Sequence, residues 1–262
     1  MKFALSSLAL LVLASVPASA AVTVFAEYHL GEAGSLGANN LPVDSSGNGR
    51  NFVNEISGAV ATVGTSTFHS NALGSTAYLD TSGAGNEGWY SSSLFSSLQS
   101  DNFALGIFAR SSSNAVGNQG DIFTVGGSNG SIKLSLAANG WAASAHNIAW
   151  IGADSGISGS FTPDTWVHLA LIRSAGITTF YINGVASGFT YAGVPVNDSP
   201  HLSVAPGGSS YFDGLMDEAR VVTFTPGEST SNIISALQGV PEPGVAFLAM
   251  LGLAVGMKRR RA

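Results

Sequence analysis

Trp166-Val-His-Leu-Ala-Leu-Ile-Arg173, then Ile177-Thr-Thr-Phe-Tyr-Ile182, then Asn183-Gly184-Val185, is the stretch that decides the fold class. The first run is apolar at successive rather than alternate positions, as in a strand buried on both faces. Asn-Gly between two β-rich runs accepts the positive φ angles of a type I′ turn, whose twist suits a hairpin. The segment therefore reads as a central strand feeding a hairpin. The same alternation of short β-branched or aromatic runs with Gly/Asn/Ser/Asp clusters continues outward in both directions. Further strands are expected at Val22–Leu30, Ala59–Val63, Thr76–Asp80, Asn102–Arg110, Asp121–Val125, Ser131–Ala137, His146–Ile151, Ala186–Tyr191, His201–Val204 and Gly214–Phe224. This predicts an all-β, two-sheet antiparallel sandwich. One helix is expected at Asn232–Gln238, where Glu228-Ser-Thr-Ser supplies capping hydroxyls.

The two ends fall outside this pattern. Met1-Lys2, an apolar run Phe3–Val16 and Pro17-Ala18-Ser19-Ala20 read as a secretory signal peptide over residues 1–20. At the other end Val240-Pro-Glu-Pro243 leads into an uncharged run, Gly244–Met257, and then Lys258-Arg-Arg-Arg-Ala262. As a helix rising about 1.5 Å per residue, that run reaches about 21 Å, short of the roughly 30 Å hydrocarbon core. The basic cluster would stay cytoplasmic and leave the domain outside the membrane. A plain C-terminal tail anchor also fits these residues.

Residues 21–239 remain as one domain. The chain has no cysteine, which excludes disulfides and any cysteine metal or redox site. Removing the terminal segments leaves five basic against fifteen acidic residues, a net charge near −10. Nucleic acid and anionic lipid surfaces are poor partners for such a domain, because phosphate binding needs a basic footprint.

Glycoside hydrolysis uses two carboxyl groups roughly 5 to 9.5 Å apart. Asp217 and Glu218 are adjacent and point to opposite faces of a regular strand, while Asp213 and Asp217 straddle a turn-to-strand junction. The histidines His29, His69, His146, His168 and His201 lack zinc-binding spacing, and His168 reads as a core histidine. No Gly-x-Ser-x-Gly elbow is present. Strict alternation would place Asp217 inward with Leu215, Ala219 and Val221, and Glu218 with Arg220 on the opposite face. A buried Asp217 then needs a partner: calcium, with Asp44 from the Gly/Asn-rich loop as second contributor, or backbone amides, with Asp44 building an Asx-turn. For sugar binding, the aromatics Trp89, Tyr90, Trp141, Trp150 and Tyr211 are candidate platforms, each more often a core residue than a binding one.

Three segments in order resemble the laminin-G-like jelly roll of the concanavalin A-like lectin and glucanase superfamily. They are Asp44-Ser-Ser-Gly-Asn-Gly49, Trp166–Arg173 with Phe180-Tyr-Ile-Asn-Gly184, and Phe212-Asp-Gly-Leu-Met-Asp-Glu-Ala-Arg-Val221. The resemblance implies a concanavalin A-like sandwich, and a structural calcium ion at the C-terminal strand, with Asp217 and Asp44 as ligands. The Glu-x-Asp-x-x-Glu strand of the superfamily's glucanases is absent. The C-terminal Pro-Glu-Pro, apolar run and arginine cluster at residues 240–262 are similar to the PEP-CTERM sorting signal of Gram-negative bacteria. That likeness implies an exosortase-type protease as processing partner, a surface or matrix location, and an association with exopolysaccharide. The expected function is a non-enzymatic surface or matrix protein that binds carbohydrate. The alternatives are a divergent glycoside hydrolase and a structural or protein-binding adhesin.

Overall fold

The computed structural model describes residues 21–56, 62–65, 75–83, 87–115, 119–127, 130–138, 140–147, 161–192, 199–206, 208 and 210–240. The expected signal peptide, the sorting segment from Pro241 onward, His69 and Trp150 lie outside the described residues.

In chain order the strands are β1 (Val22–Tyr28), β2 (Asn54–Ile56), β3 (Thr62–Thr65), β4 (Ala77–Asp80), β5 (Gly88–Tyr90), β6 (Phe103–Arg110) and β7 (Gly120–Gly127). They continue with β8 (Gly130–Ala137), β9 (Gly140–Asn147), β10 (Val167–Ser174), β11 (Ile177–Ile182), β12 (Val185–Tyr191), β13 (Pro200–Leu202) and β14 (Leu215–Phe224), followed by helix α1 (Thr230–Leu237). Two antiparallel sheets form a sandwich. One runs β12-β11-β10-β6-β14-β4-β3, with β1 also on β14; the other runs β2-β5-β13-β7-β8-β9.

The doubly apolar Trp166 run becomes β10, flanked by β11 and β6 and buried from Val167 to Arg173. It is buried on both sides because the sheet is covered on both sides. Its inner face, with Leu105, Ile107, Leu169, Leu171, Phe180 and Val221, packs on Trp89, Phe123, Val125, Ile132, Leu134, Trp141 and Leu202 of the second sheet. On its outer face Ala104, Ala170, Ile172, Val222 and Phe224 are covered by Ile233, Ile234 and Leu237 of α1. Fully burying side chains of this size contributes about 1.5 to 3 kcal/mol each. The helix starts where expected, with the Ser229 hydroxyl accepting from the Asn232 amide at 3.1 Å.

Several details depart from the sequence reading, beginning with the short strands β2 and β5, which match none of the expected ones. Gly140–Asn147 is a full strand, β9, where only His146–Ile151 was expected; Ala, Ser and Gly dominate it, so little apolar periodicity marks it. The last strand, β14, is irregular. Its edge away from β6 is shared end to end by β4, which pairs with Leu215 and Met216, and β1, which pairs with Ala219 to Phe224. Asp217 and Glu218 fall between these two partners. The ladder to β6 also shifts there, and Glu218 has a φ of 49°. That is a bulge, an extra residue that resets which side chains face inward.

Candidate functional site

The bulge reverses the expected placement of Asp217. Met216, Ala219 and Val221 face the inter-sheet core, while Asp217 pairs with Phe108, which lies outside that core. Asp217 is thus on the outer side of the sheet with Arg220, yet it is fully buried. It is enclosed because the turn after β1 and the start of β4 close over the gap in the ladder. Ser75, just before β4, places its hydroxyl 2.6 Å from Asp217 Oδ2, 2.7 Å from Glu32 Oε1 and 3.1 Å from the Ala77 carbonyl. One hydroxyl hydrogen thus serves three acceptors, two of them carboxylates. The amides of Thr76 and Ala77 also donate to Glu32 Oε1, and the Glu218 amide to Asp217 Oδ1.

Oxygens of Glu32, Asp217 and Glu218 lie within 4.8 Å of one another. Glu218 is 2 % exposed, and Glu32 Oε2 is buried with no hydrogen-bond partner among the described residues. On the flank, His29 Nδ1 lies 2.8 Å from Glu218 Oε2, and Arg220 bridges Glu218 and Glu27 while donating to the Ala236 carbonyl of α1 at 3.3 Å. Glu218 bonded to it raises the His29 pKa, against the burial that would lower it. Four carboxylates thus meet one guanidinium and one imidazole, so the group is short of positive charge even with His29 protonated. Glu32 and the adjacent Asp217 and Glu218 bring carboxylate oxygens together from two separate segments, the donor type that calcium takes.

Asp44 lies in neither carboxylate group able to hold a metal among the described residues. Its carboxylate accepts from the amides of Glu27, Ser46 and Arg50 at 2.9 to 3.0 Å, which is the Asx-turn alternative. Asp44 and Asp217, paired in the sequence reading, are thus not neighbours in either group, and Glu32 is the carboxylate beside Asp217. Glu32, in a Gly-Glu-Ala-Gly loop, carried no periodicity that could have singled it out. Burial raises the Asp44 pKa, but the Ser46 hydroxyl and the three amides outweigh it and hold the group below the usual aspartate value. A lowered folded pKa gives stability that is present above the unfolded pKa and lost as pH falls through the folded one. Asp44→Asn should therefore cost about 1 to 3 kcal/mol at pH 7, the cost of leaving an amide unpaired. The gap to the wild type should close in melts run below the ordinary aspartate range.

At one rim of the sandwich, where β4 and β6 end and β14 begins, a polar cleft of about 170 Å³ opens. Tyr78, Asp80, Ser82, Arg110, Ser111, Asp164 and Asp213 are among its lining. Arg110 Nη2 lies 3.1 Å from Asp164; Asp80 Oδ1 accepts from the Ser82 amide at 2.8 Å and Asp213 Oδ1 from the Gly83 amide at 3.1 Å. Tyr78 stands edge-on to Trp166 with centroids 5.8 Å apart. Of the sequence candidates only Asp213 lies here. The cleft draws on four separate segments, and no local motif announces it.

The remaining candidates separate cleanly. Trp89 and Trp141 are fully buried core residues, and Tyr211 donates to the Gly208 carbonyl at 2.9 Å. His168 is buried against Phe108, with ring centroids 4.9 Å apart. Tyr90 is half-buried and stacks on His201, with centroids 5.9 Å apart and planes 15° apart.

A two-sheet antiparallel sandwich with its last strand at the centre of one sheet and a helix across that sheet's outer face defines a jelly roll of the lectin and glucanase type. Over residues 73–227, more than half of the chain, the sequence matches the laminin-G model of the concanavalin A-like lectin/glucanases superfamily, and the protein belongs to that family. Domain 4 of a GH43 extracellular arabinanase from Geobacillus stearothermophilus, in complex with arabinotriose, is similar in fold with a TM-score of 0.53 at 20 % identity, over 83 % of this chain and 98 % of that one. A sialidase of Trypanosoma rangeli in complex with the inhibitor DANA is similar with a TM-score of 0.50 at 14 % identity, over 82 % of this chain and 32 % of the enzyme. The chain thus spans about a third of that enzyme's length. No curated protein matches the chain in sequence. No helix among the described residues is long and apolar enough to cross a membrane.

Proposed function

We propose that this protein is an exported, non-enzymatic carbohydrate-binding domain that works at the cell surface or in its matrix, with the rim cleft as its binding site. The observation that carries the reading is the lining of that cleft. Carboxylates of Asp80 and Asp213 accept hydrogen bonds from sugar hydroxyls, Arg110 donates them, the serines donate or accept them, and Tyr78 offers ring surface. Export rests on the leader at residues 1–20, and the C-terminal segment, residues 240–262, serves as a sorting anchor cut by an exosortase-type protease.

Calorimetry with arabinotriose, maltotriose and cellotriose tests the reading. At least one should bind, Asp80→Asn should weaken it about tenfold or more, equivalent to about 1.4 kcal/mol, and no reducing sugar should be released. A domain that binds none of the three and no glycan on an array would sink the proposal. Released reducing sugar would instead favour a divergent hydrolase.

Calcium is the second element of the proposal. Glu32, Asp217 and Glu218 would hold it, and its chemistry there is structural: it neutralises buried carboxylates and ties the turn after β1 to β4 and β14. Saturation at one hundred times the dissociation constant adds about 2.7 kcal/mol. Chelator should therefore lower the melting temperature of the wild type by several degrees and leave Asp217→Asn unmoved. An unchanged wild-type melt in excess chelator would remove calcium and leave the carbohydrate reading standing.

A further inference from the structure

One loop is laid along the free edge of the first strand. β1 pairs with β14 on one side. On the other, residues 44–50 bond its backbone where a neighbouring strand would: the Glu27 amide donates to Asp44 Oδ1 at 3.0 Å, the Ser45 amide to the Glu27 carbonyl at 2.8 Å, and Arg50 Nη1 to the Phe25 carbonyl at 2.9 Å. An uncovered edge is a template for pairing with another chain, so the loop serves as a strap. Its tip is Gly47-Asn48-Gly49, three exposed residues, with the glycines at φ of 83° and 72°. One side chain holds that tip down: Asn48 Nδ2 donates to the Val24 and Phe25 carbonyls at 3.2 and 3.1 Å.

An asparagine followed by glycine is open to attack by its own backbone, because without a Cβ the glycine nitrogen can reach the asparagine side-chain carbon. Two such pairs lie among the described residues, Asn48-Gly49 and Asn183-Gly184, and they differ in freedom. Beyond its chain neighbours, no atom lies within 4 Å of where a Gly49 Cβ would stand, whereas Ile234 is 3.5 Å from that point at Gly184. Asn183 is pinned to the central strand β10 by backbone and side chain together: its amide donates to the His168 carbonyl at 2.8 Å, and its Oδ1 accepts from the His168 amide at 2.9 Å. Asn48 sits in an exposed loop, where local opening takes least free energy.

We infer that Asn48 is a site of spontaneous deamidation, and that the modification unlatches the strap. The Gly49 backbone nitrogen attacks Asn48 Cγ, the Cγ–Nδ2 bond breaks, and Nδ2 leaves as ammonia with the proton of the Gly49 amide, closing a succinimide. Water then adds to either ring carbonyl carbon and breaks its bond to the ring nitrogen, giving aspartate or isoaspartate. No electrons are exchanged, and water is the one co-reactant. Either product replaces a donating NH₂ group by a carboxylate, which can only accept and so faces the Val24 and Phe25 carbonyls acceptor against acceptor. The inference rests neither on the rim cleft nor on calcium.

The test incubates the full chain in mildly alkaline buffer, folded and in urea, and maps conversion by peptide mass spectrometry. In urea the two pairs should convert at similar rates. In the folded protein Asn48 should convert at least about tenfold faster than Asn183, equivalent to about 1.4 kcal/mol less for opening. Isoelectric focusing should show the matching acidic species, one negative charge apart. Equal rates in the folded protein, or an Asn48 that stays intact while the unfolded chain converts it, would overturn the inference. The unlatching has its own readout in Asn48→Asp, where the Glu27, Ser45 and Arg50 amides should exchange hydrogen about tenfold faster than in the wild type while those of β6 and β10 stay unchanged. Unchanged exchange at the three amides would mean that Asp44 and Arg50 hold the strap without Asn48, and would overturn its role as the latch. Faster exchange through β6 and β10 as well would overturn it too, since the change would then be global rather than a release of the loop.

Discussion

Arg220→Met should cost the protein about 3 to 5 kcal/mol, the range for removing one partner of a buried ion pair. The residue is 5 % exposed and its guanidinium bridges Glu27 and Glu218. Methionine keeps much of the volume but leaves both carboxylates facing each other, and it releases the Ala236 carbonyl at the end of α1. Against a total stability of roughly 5 to 15 kcal/mol, such a loss brings the domain near its unfolding threshold. Urea unfolding of the purified protein measures it. The companion change Glu218→Gln in the same chain should restore part of the loss, because it removes one of the stranded charges. A single variant within 1 kcal/mol of wild type would mean that Arg220 is not what neutralises this cluster.

Gly184→Val should cost about 1 to 3 kcal/mol, the scale for a residue held at an unfavourable backbone angle. Asn183 and Gly184 have φ of 50° and 79°, the two positive values of the expected type I′ turn. A β-branched residue is strongly disfavoured there. The turn is also tied inward: the Asn183 side-chain oxygen accepts from the His168 amide at 2.9 Å, which fixes the hairpin to β10. The strain should therefore appear as a lower global melting temperature. Gly184→Asn, a residue that tolerates this region, should recover most of it. An unchanged melt for the valine variant would show that the turn can relax without disturbing β10.

These two positions also mark where the sequence could and could not be read. The hairpin, the doubly apolar strand before it and the capped helix rest on local rules, a turn dipeptide, a periodicity and a hydroxyl, so they were visible in the chain. Asp217 was rightly singled out as a buried carboxylate, but for the wrong face. Alternation assumes a period of two, and the bulge at Glu218 breaks it by one residue. The only warning was two adjacent acidic residues in an otherwise apolar strand. Glu32 and Ser75 were out of reach because they join Asp217 through tertiary closure, and neither sits in a recognisable pattern. The rim cleft fails the same way: its aspartates come from distant turns. Trp89 and Trp141 are core residues, the reading the sequence favoured for them, although sugar platforms and core tryptophans look identical in sequence.

The position of β14 has a further meaning for how the chain can fold at all. It is the last strand, and it is the partner of β6, of β4 and of β1, the first. Pairings this far apart in sequence form slowly, because a long stretch of chain must be ordered before the contact repays it. Until residues 215–224 arrive, β1 has no neighbour and the centre of its sheet is missing. A chain emerging N-terminus first therefore stays open until its closing strand appears. Under the export proposed above, that delay would keep the chain transportable through a membrane pore, with the fold locking only after its last strand has crossed.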